Sequence, residues 1–299
     1  MAVVEEGGFN RATARLHMTQ PALSYQIKQL ETELKASLFH RRPRGVSPTE
    51  AGRVLFQHAK EILESVRKAR NAIERLSEGV GGEIRIGTVN SVGIYFLPEV
   101  LQRMRELFPE ARPTVLYRHS DEIMEALLQN QIDIALVANP RPDRRLVQEA
   151  VVTEKVSLVC GTPHPFFGRR SVKPSELKGL PFVSLTPETP TGALIRDHLA
   201  KMGITVDTVV STDNVETVKK MVEVGLGLGF LPDMVTRHDV MCGGGPGGKL
   251  CRIEVGPVIT RKIMLVTWKQ FDVTRATAAF MDLMREYGAE WKSCVDPTG

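Results

Sequence analysis

The sequence predicts an α/β protein in three parts: an N-terminal winged helix-turn-helix, a long linker helix, and a two-lobed, doubly wound α/β domain. Three observations predict it. Residues 10–35 read as two short helices with a tight break between them. From Leu55 to Leu76, apolar residues recur in steps of four and three. From residue 83 onward, apolar strands alternate with helical segments.

The chain opens with Ala2-Val3-Val4-Glu5-Glu6-Gly7-Gly8-Phe9, the end of a shortened first helix and the turn after it. Arg11 to His17 then carries Ala12 and Leu16 on one helical face. Met18-Thr19-Gln20 breaks the pattern. Pro21 sits where a helix tolerates proline, in its first turn, with Thr19 or Gln20 able to cap the free amides. Leu23, Ile27, Leu30 and Leu34 form one apolar stripe. The opposite face shows Gln20, Ser24, Tyr25 and Lys28, groups that bond to phosphates and base edges. An ordinary helical hairpin gives the same pattern, so the next segment matters. Leu38 to Thr49 reads as a wing, with Arg41, Arg42 and Arg44 around Pro43 and Gly45. Arginine suits phosphates and the narrow minor groove because its planar fork keeps its charge and donates in pairs.

Several runs closely resemble LysR-type bacterial transcriptional regulators. They are Ala14-Arg15-Leu16-His17-Met18-Thr19-Gln20-Pro21-Ala22-Leu23-Ser24, Gln26-Ile27-Lys28-Gln29-Leu30-Glu31, Leu38-Phe39-His40-Arg41 and Arg44-Gly45-Val46-Ser47-Pro48-Thr49-Glu50-Ala51-Gly52. The resemblance covers nearly the whole chain and is most specific over the first 55 residues. It implies a regulator that binds double-stranded promoter DNA under control of a small-molecule effector, with RNA polymerase as a further partner. Thr19, Gln20, Pro21, Ser24, Tyr25, Lys28, Arg41, Arg42 and Arg44 are the implied DNA contacts. Tyr25 falls where many relatives carry arginine, so stacking or a thymine methyl contact stands as the alternative to a guanine pair, and base preference stays open. Family members usually begin several residues earlier, with an apolar turn that packs on the recognition helix. That turn is expected to be missing here.

Ser47-Pro48-Thr49-Glu50 opens a helix that runs to about Glu78. Leu55, Ala59, Ile62, Val66, Ala69, Ile73 and Leu76 give it a heptad seam. The expected cover is the same helix from a second subunit; packing on its own chain is the alternative. A homodimer supplies two recognition helices for a two-fold-related site, and a homotetramer supplies four. The sequence thus divides into a head over 1–48, a linker helix over 49–78, a glycine hinge at 79–82 and an effector domain over 83–299.

In that last part, residues 83–87, 113–117, 132–137, 150–160, 182–185, 208–212, 226–231 and 263–268 read as strands. Residues 96–107, 120–130, 191–202, 214–224 and 273–288 read as helices. Chain crossings near residues 161 and 264 put 83–160 and 265–299 in lobe I and 161–264 in lobe II. This order resembles the effector domain of LysR-type regulators, itself like periplasmic solute-binding proteins. The strongest match is Asn214-Val215-Glu216-Thr217-Val218-Lys219-Lys220-Met221-Val222 with the glycines at 225, 227 and 229.

In doubly wound sheets, ligands bind beyond the carboxyl ends of the strands. Those ends carry Thr88, Asn90, Ser91, His119, Ser120, Asn139, Thr186, Thr189, Thr191, Thr212 and Asn214. Hydroxyls and amides at helix starts suit a small carboxylate or inorganic anion, because free backbone amides converge there. The same residues cap helices routinely. The resemblance favours Ser91 and Thr191 and, by less, Thr88 and Thr189.

Composition narrows the classes. The net charge is +4, and the 13 Lys+Arg and 9 Asp+Glu of residues 1–78 hold all of it. A basic head fits phosphate attraction. No run of about 18 apolar residues exists, which excludes a helical membrane span. Glu5, Glu6 and Gly7-Gly8 interrupt any signal-peptide core, so a cytoplasmic protein is expected. Cys160, Cys242, Cys251 and Cys294 form no Cys-x-x-Cys, and the 7 histidines show no ligand spacing, so no metal or cofactor is expected. Cys242 and Cys251 in a glycine-rich loop suggest a redox switch less well than reduced bystander thiols. No motif pairs a nucleophile with a base, which argues against an enzyme. Two other classes stay open: a small-molecule-binding protein without DNA function, and a structural dimerisation module.

Overall fold

The computed structural model describes residues 1–42, 45–74, 80–237, 248–269 and 273–295. The chain divides into two compact units, Met1–Ile73 and Glu74–Gly299. The long helix therefore goes with the head, and the division precedes the glycine hinge expected at 79–82.

The first unit begins with α1 (Ala2–Glu5), α2 (Phe9–Leu16) and α3 (Gln20–Leu34). His17 ends α2 in the left-handed region at φ 52°. Thr19 stands at the N-cap of α3, but its side chain makes no capping bond. Val3, Ala12 and Leu23 form a small buried core, against which Phe9, Ile27 and Phe39 pack. Val3, from the single turn of α1, supplies apolar packing on the recognition helix. The stripe on α3 is only partly used, since Leu34 remains 45% exposed. Lys35 ends the helix in the left-handed region at φ 51°.

The wing is the antiparallel pair β1 (Phe39–Arg42) and β2 (Gly45–Pro48), with Arg42 opposite Gly45. Then α4 runs from Glu50 to Glu74. Thr49 caps it: Oγ1 accepts from Gly52 N at 3.0 Å and donates to Ser37 O at 2.6 Å. Along its seam Leu55 and Ala59 are half-buried. Ile62, Val66 and Ile73 are exposed by 63%, 60% and 68%, and Ala69 is exposed as well. Leu76 lies outside the described residues.

The second unit runs β3 (Gly82–Thr88), α5 (Asn90–Tyr95), α6 (Leu97–Leu107), β4 (Ala111–Tyr117), α7 (Ser120–Leu128), β5 (Ile134–Ala138) and β6 (Leu146–Gly161). It continues with β7 (Pro181–Leu185), α8 (Pro190–Lys201), β8 (Asp207–Thr212), α9 (Val215–Glu223), β9 (Gly229–Pro232), α10 (Asp233–Thr236), β10 (Leu250–Ile253), β11 (Ile259–Trp268) and α11 (Arg275–Val295). The main sheet has the order β10-β6-β11-β5-β3-β4, with β9 also on β6. β3 pairs in parallel with β4 and β5, as alternating strands and helices dictate. β11 is antiparallel to both β5 and β6. The parallel pair β7 and β8 forms a separate small sheet in the second lobe.

The two lobes share the long strands. β6 pairs with β11 from Leu146 to Val156, then with β9 and β10 as far as Gly161. Residue 161 is the last of β6 and residue 264 lies inside β11, so both expected crossings fall on these two strands. Apolar periodicity marks a strand without marking where its partner changes. The register shifts between Ile263 and Met264, leaving Val151 as the extra residue of a bulge.

Candidate functional site: the interlobe cleft and the helix-turn-helix face

A cleft of about 960 Å³ opens between the lobes. From lobe I it is lined by Asn90 and Ser91 in the first turn of α5, and by His119 and Ser120 at the start of α7. From lobe II come Thr186, Thr189 and Thr191 around the start of α8, and Thr212 at the end of β8. The strands end here because each hands over to a helix, and the helix starts supply short polar side chains.

Three residues expected in the cleft are not in its lining. Thr88 is fully buried, and its hydroxyl donates to Leu136 O at 3.3 Å. Asn139 holds the β5–β11 pairing: its Oδ1 accepts from Lys262 N at 2.9 Å, and its own N–H donates to Lys262 O at 3.0 Å. Asn214 caps α9, with Oδ1 accepting from Glu216 N at 2.8 Å and Thr217 N at 3.3 Å. In all three, the side chain bonds to backbone groups of its own lobe's fold. Asn90 and Ser91, expected in a loop, belong to a helix.

Around Thr191 the geometry is tight. Thr189 Oγ1 accepts from Gly192 N at 3.0 Å and donates to Thr186 O at 2.9 Å. A β-carbon on Gly192 would collide with the Thr186 carbonyl. Gly192→Ala is therefore expected to shift the 186–191 loop and destabilise the second unit by about 1–3 kcal/mol, the cost of overpacking. A thermal melt of the variant beside the parent measures this; an unchanged melting temperature contradicts it.

The residue that sequence reasoning missed is Arg261, which also lines the cleft while only 2% exposed. It lies directly opposite Glu154 in the β11–β6 register. Its Nη2 is 2.7 Å from Glu154 Oε1. Nη1 donates to Thr191 Oγ1 at 3.3 Å and Nη2 to Ser91 Oγ at 3.1 Å. Glu154 Oε2 also accepts from Met234 N, at 2.8 Å. Burial pushes the Glu154 carboxyl upward from the ordinary carboxylate range, while the guanidinium draws it back. The signal for Arg261 was available: Ile259, Arg261 and Ile263 alternate with polar neighbours, placing an arginine on the inward phase.

Across the cleft, His119 Nε2 lies 3.4 Å from Asp213 Oδ2, with both side chains more than half exposed. Such an exposed pair adds little stability. Among the described residues there is no group of three or more His, Cys, Asp and Glu placed to hold a metal. Cys251 sits opposite Cys160 in the β10–β6 pair, and both thiols are free and buried. Burial pushes the Cys160 thiol up to about 12, which keeps it protonated and a poor nucleophile. Cys242 lies outside the described residues.

On the head, Thr19, Gln20, Pro21, Tyr25 and Lys28 are exposed and Ser24 is half-buried. Tyr25 Oη accepts from Gln29 Nε2 at 2.9 Å, one helical turn on. Arg41 and Arg42 lie on β1 at the wing, and Arg44 lies outside the described residues.

With both surfaces described, comparison with known proteins is decisive. The family described as LysR substrate binding domain matches residues 77–289, and the lysR family of bacterial regulatory helix-turn-helix proteins matches residues 1–53. The chain belongs to the LysR family. Among LysR-type relatives, the HTH-type transcriptional regulator CysL of Bacillus subtilis is 28% identical over 241 residues, covering 81% of each chain. A full-length OxyR variant from Pseudomonas aeruginosa shares the fold with a TM-score of 0.69 at 19% identity, over 96% of this chain and 91% of that one. Full-length CbnR complexed with its target DNA gives a TM-score of 0.69 at 20% identity, over 96% of both chains. As a LysR-type transcriptional regulator, the protein joins a DNA-binding head to an effector-binding domain. No described helix is long and apolar enough to cross a membrane.

Proposed function

We propose that two copies pair along α4 and set two α3 helices on a two-fold-related promoter site, where a small molecule in the interlobe cleft modulates binding. Gln20, Pro21, Ser24, Tyr25 and Lys28 contact bases and backbone, Thr19 sits at the helix start, and Arg41, Arg42 and Arg44 contact DNA at the wing. The observation that carries this reading is the uncovered polar face of α3, with Gln20, Tyr25 and Lys28 exposed while Leu23 is buried behind them. The target DNA bound by CbnR supports it. The exposed seam of α4 supports a dimer, and two such dimers make a tetramer able to meet RNA polymerase at the promoter. Asn90, Ser91, His119, Ser120, Thr186, Thr189, Thr191 and Thr212 hold the effector, with no reaction catalysed. The place of work is the cytoplasm, with the promoter.

Gel shift on fragments upstream of the protein's own gene, at several salt concentrations, tests the reading. Affinity is expected to fall steeply with salt as phosphates release counterions. Lys28→Ala is expected to weaken binding about equally across sequences and to reduce the salt slope by about one. If Lys28→Ala and Arg42→Ala both leave affinity and slope unchanged, the assigned contacts are wrong.

A further inference from the structure

We infer that Arg261 makes the cleft selective for an acceptor-only head group, an ionised carboxylate or comparable oxyanion, over its neutral carboxamide counterpart. This rests on the reading of the cleft as the effector site and names the class of ligand it takes. A guanidinium has five N–H donors in a fixed fork and no acceptor. Here Nε donates to Glu154 Oε1 at 2.8 Å, and Nη2 lies 2.7 Å from the same oxygen and 3.1 Å from Ser91 Oγ. Nη1 reaches Thr191 Oγ1 at 3.3 Å. One Nη1 donor is left without an acceptor among the described residues.

The two hydroxyls extend the same polarity. Ser91 and Thr191 each accept from Arg261, so their own hydrogens point elsewhere, and neither meets an acceptor among the described residues. Glu154 balances the buried cation, yet it is absent from the cleft lining and its side chain is 1% exposed. The cleft floor therefore presents donors from one guanidinium and two hydroxyls and withholds the nearest acceptor. An ionised carboxylate accepts only, which matches; a carboxamide turns an N–H toward donors. Ser91 belongs to α5 of lobe I and Thr191 to α8 of lobe II. A head group bonded to both ties the lobes together, and Arg261 stands on one of the two strands that join them.

The test uses the full-length protein at constant ionic strength. Calorimetric titrations with benzoate, acetate and inorganic sulfate are set beside benzamide and acetamide. Saturable binding of at least one anion is expected, with the carboxylate about tenfold or more tighter than its amide, since buried donors reject a partner that cannot accept. Thr191→Val is expected to weaken anion binding about tenfold, and amide binding by less, since both lose one donor but only the anion loses a charge-assisted bond. Because removing Arg261 alone strands Glu154 in the core, the charge is tested with Arg261→Met and Glu154→Met combined. Replacing a buried pair by apolar residues of similar volume is often neutral for stability, and a thermal melt of the combined variant checks its fold before titration. The combined variant should lose the preference for anions. Equal affinity for benzoate and benzamide, no saturable anion binding, or a preference that survives the combined variant each overturns the inference. If a neutral compound instead binds and alters promoter gel shifts, only the charge selection fails. If no compound alters them, the effector reading fails with it.

Discussion

Replacing Glu154 with alanine is expected to destabilise the second unit by about 3–5 kcal/mol, because the change leaves an uncompensated guanidinium in the interior. Arg261 and Glu154 are 2% and 1% exposed at their side chains, so solvent cannot take over the charge. The substitution also removes the acceptor for Met234 N at the start of α10. Urea unfolding followed by Trp268 and Trp291 fluorescence measures the loss. Glu154→Gln keeps an acceptor for Arg261 and should fall between the alanine variant and the parent. A loss below about 1 kcal/mol for Glu154→Ala would mean that water reaches the pair, contrary to its burial.

Ile62→Asp combined with Val66→Asp is expected to turn the dimer into monomers and weaken promoter binding by about 10²–10⁴-fold. Two linked heads gain that factor by converting the second contact into an intramolecular event. Both side chains are largely exposed in the single chain, so the head itself should stay folded. Desolvating aspartates in an apolar seam is what breaks the pairing. Sedimentation equilibrium gives the mass, and gel shift gives the affinity. A variant that stays dimeric with full affinity would place the subunit contact elsewhere.

The head was legible in the sequence because its determinants are local. The break at Met18-Thr19, Pro21 in the first turn, and leucine spacing on α3 each act over a few residues. The wing arginines and the α4 seam follow from the same short-range logic. In the second unit the strands and helices were legible for the same reason, but the pairing was not. Arg261 and Glu154 are 107 residues apart and meet only through the β11–β6 register. Thr88, Asn139 and Asn214 were placed in the cleft by strand ends alone. Their side chains answer to backbone groups that only the folded sheet brings near. The separation between α5 and the preceding strand was also hidden, because six residues are too few for a helical period to declare itself.

Because β6 and β11 pass unbroken from one lobe to the other, their ladder hydrogen bonds resist wide jaw-like opening. Hinges that swing far rely on loop residues free to change their torsions; here the connection is paired strand. Movement must come from added twist, concentrated where Val151 already loosens the register. Small-angle scattering should accordingly record almost the same radius for the protein with and without a ligand.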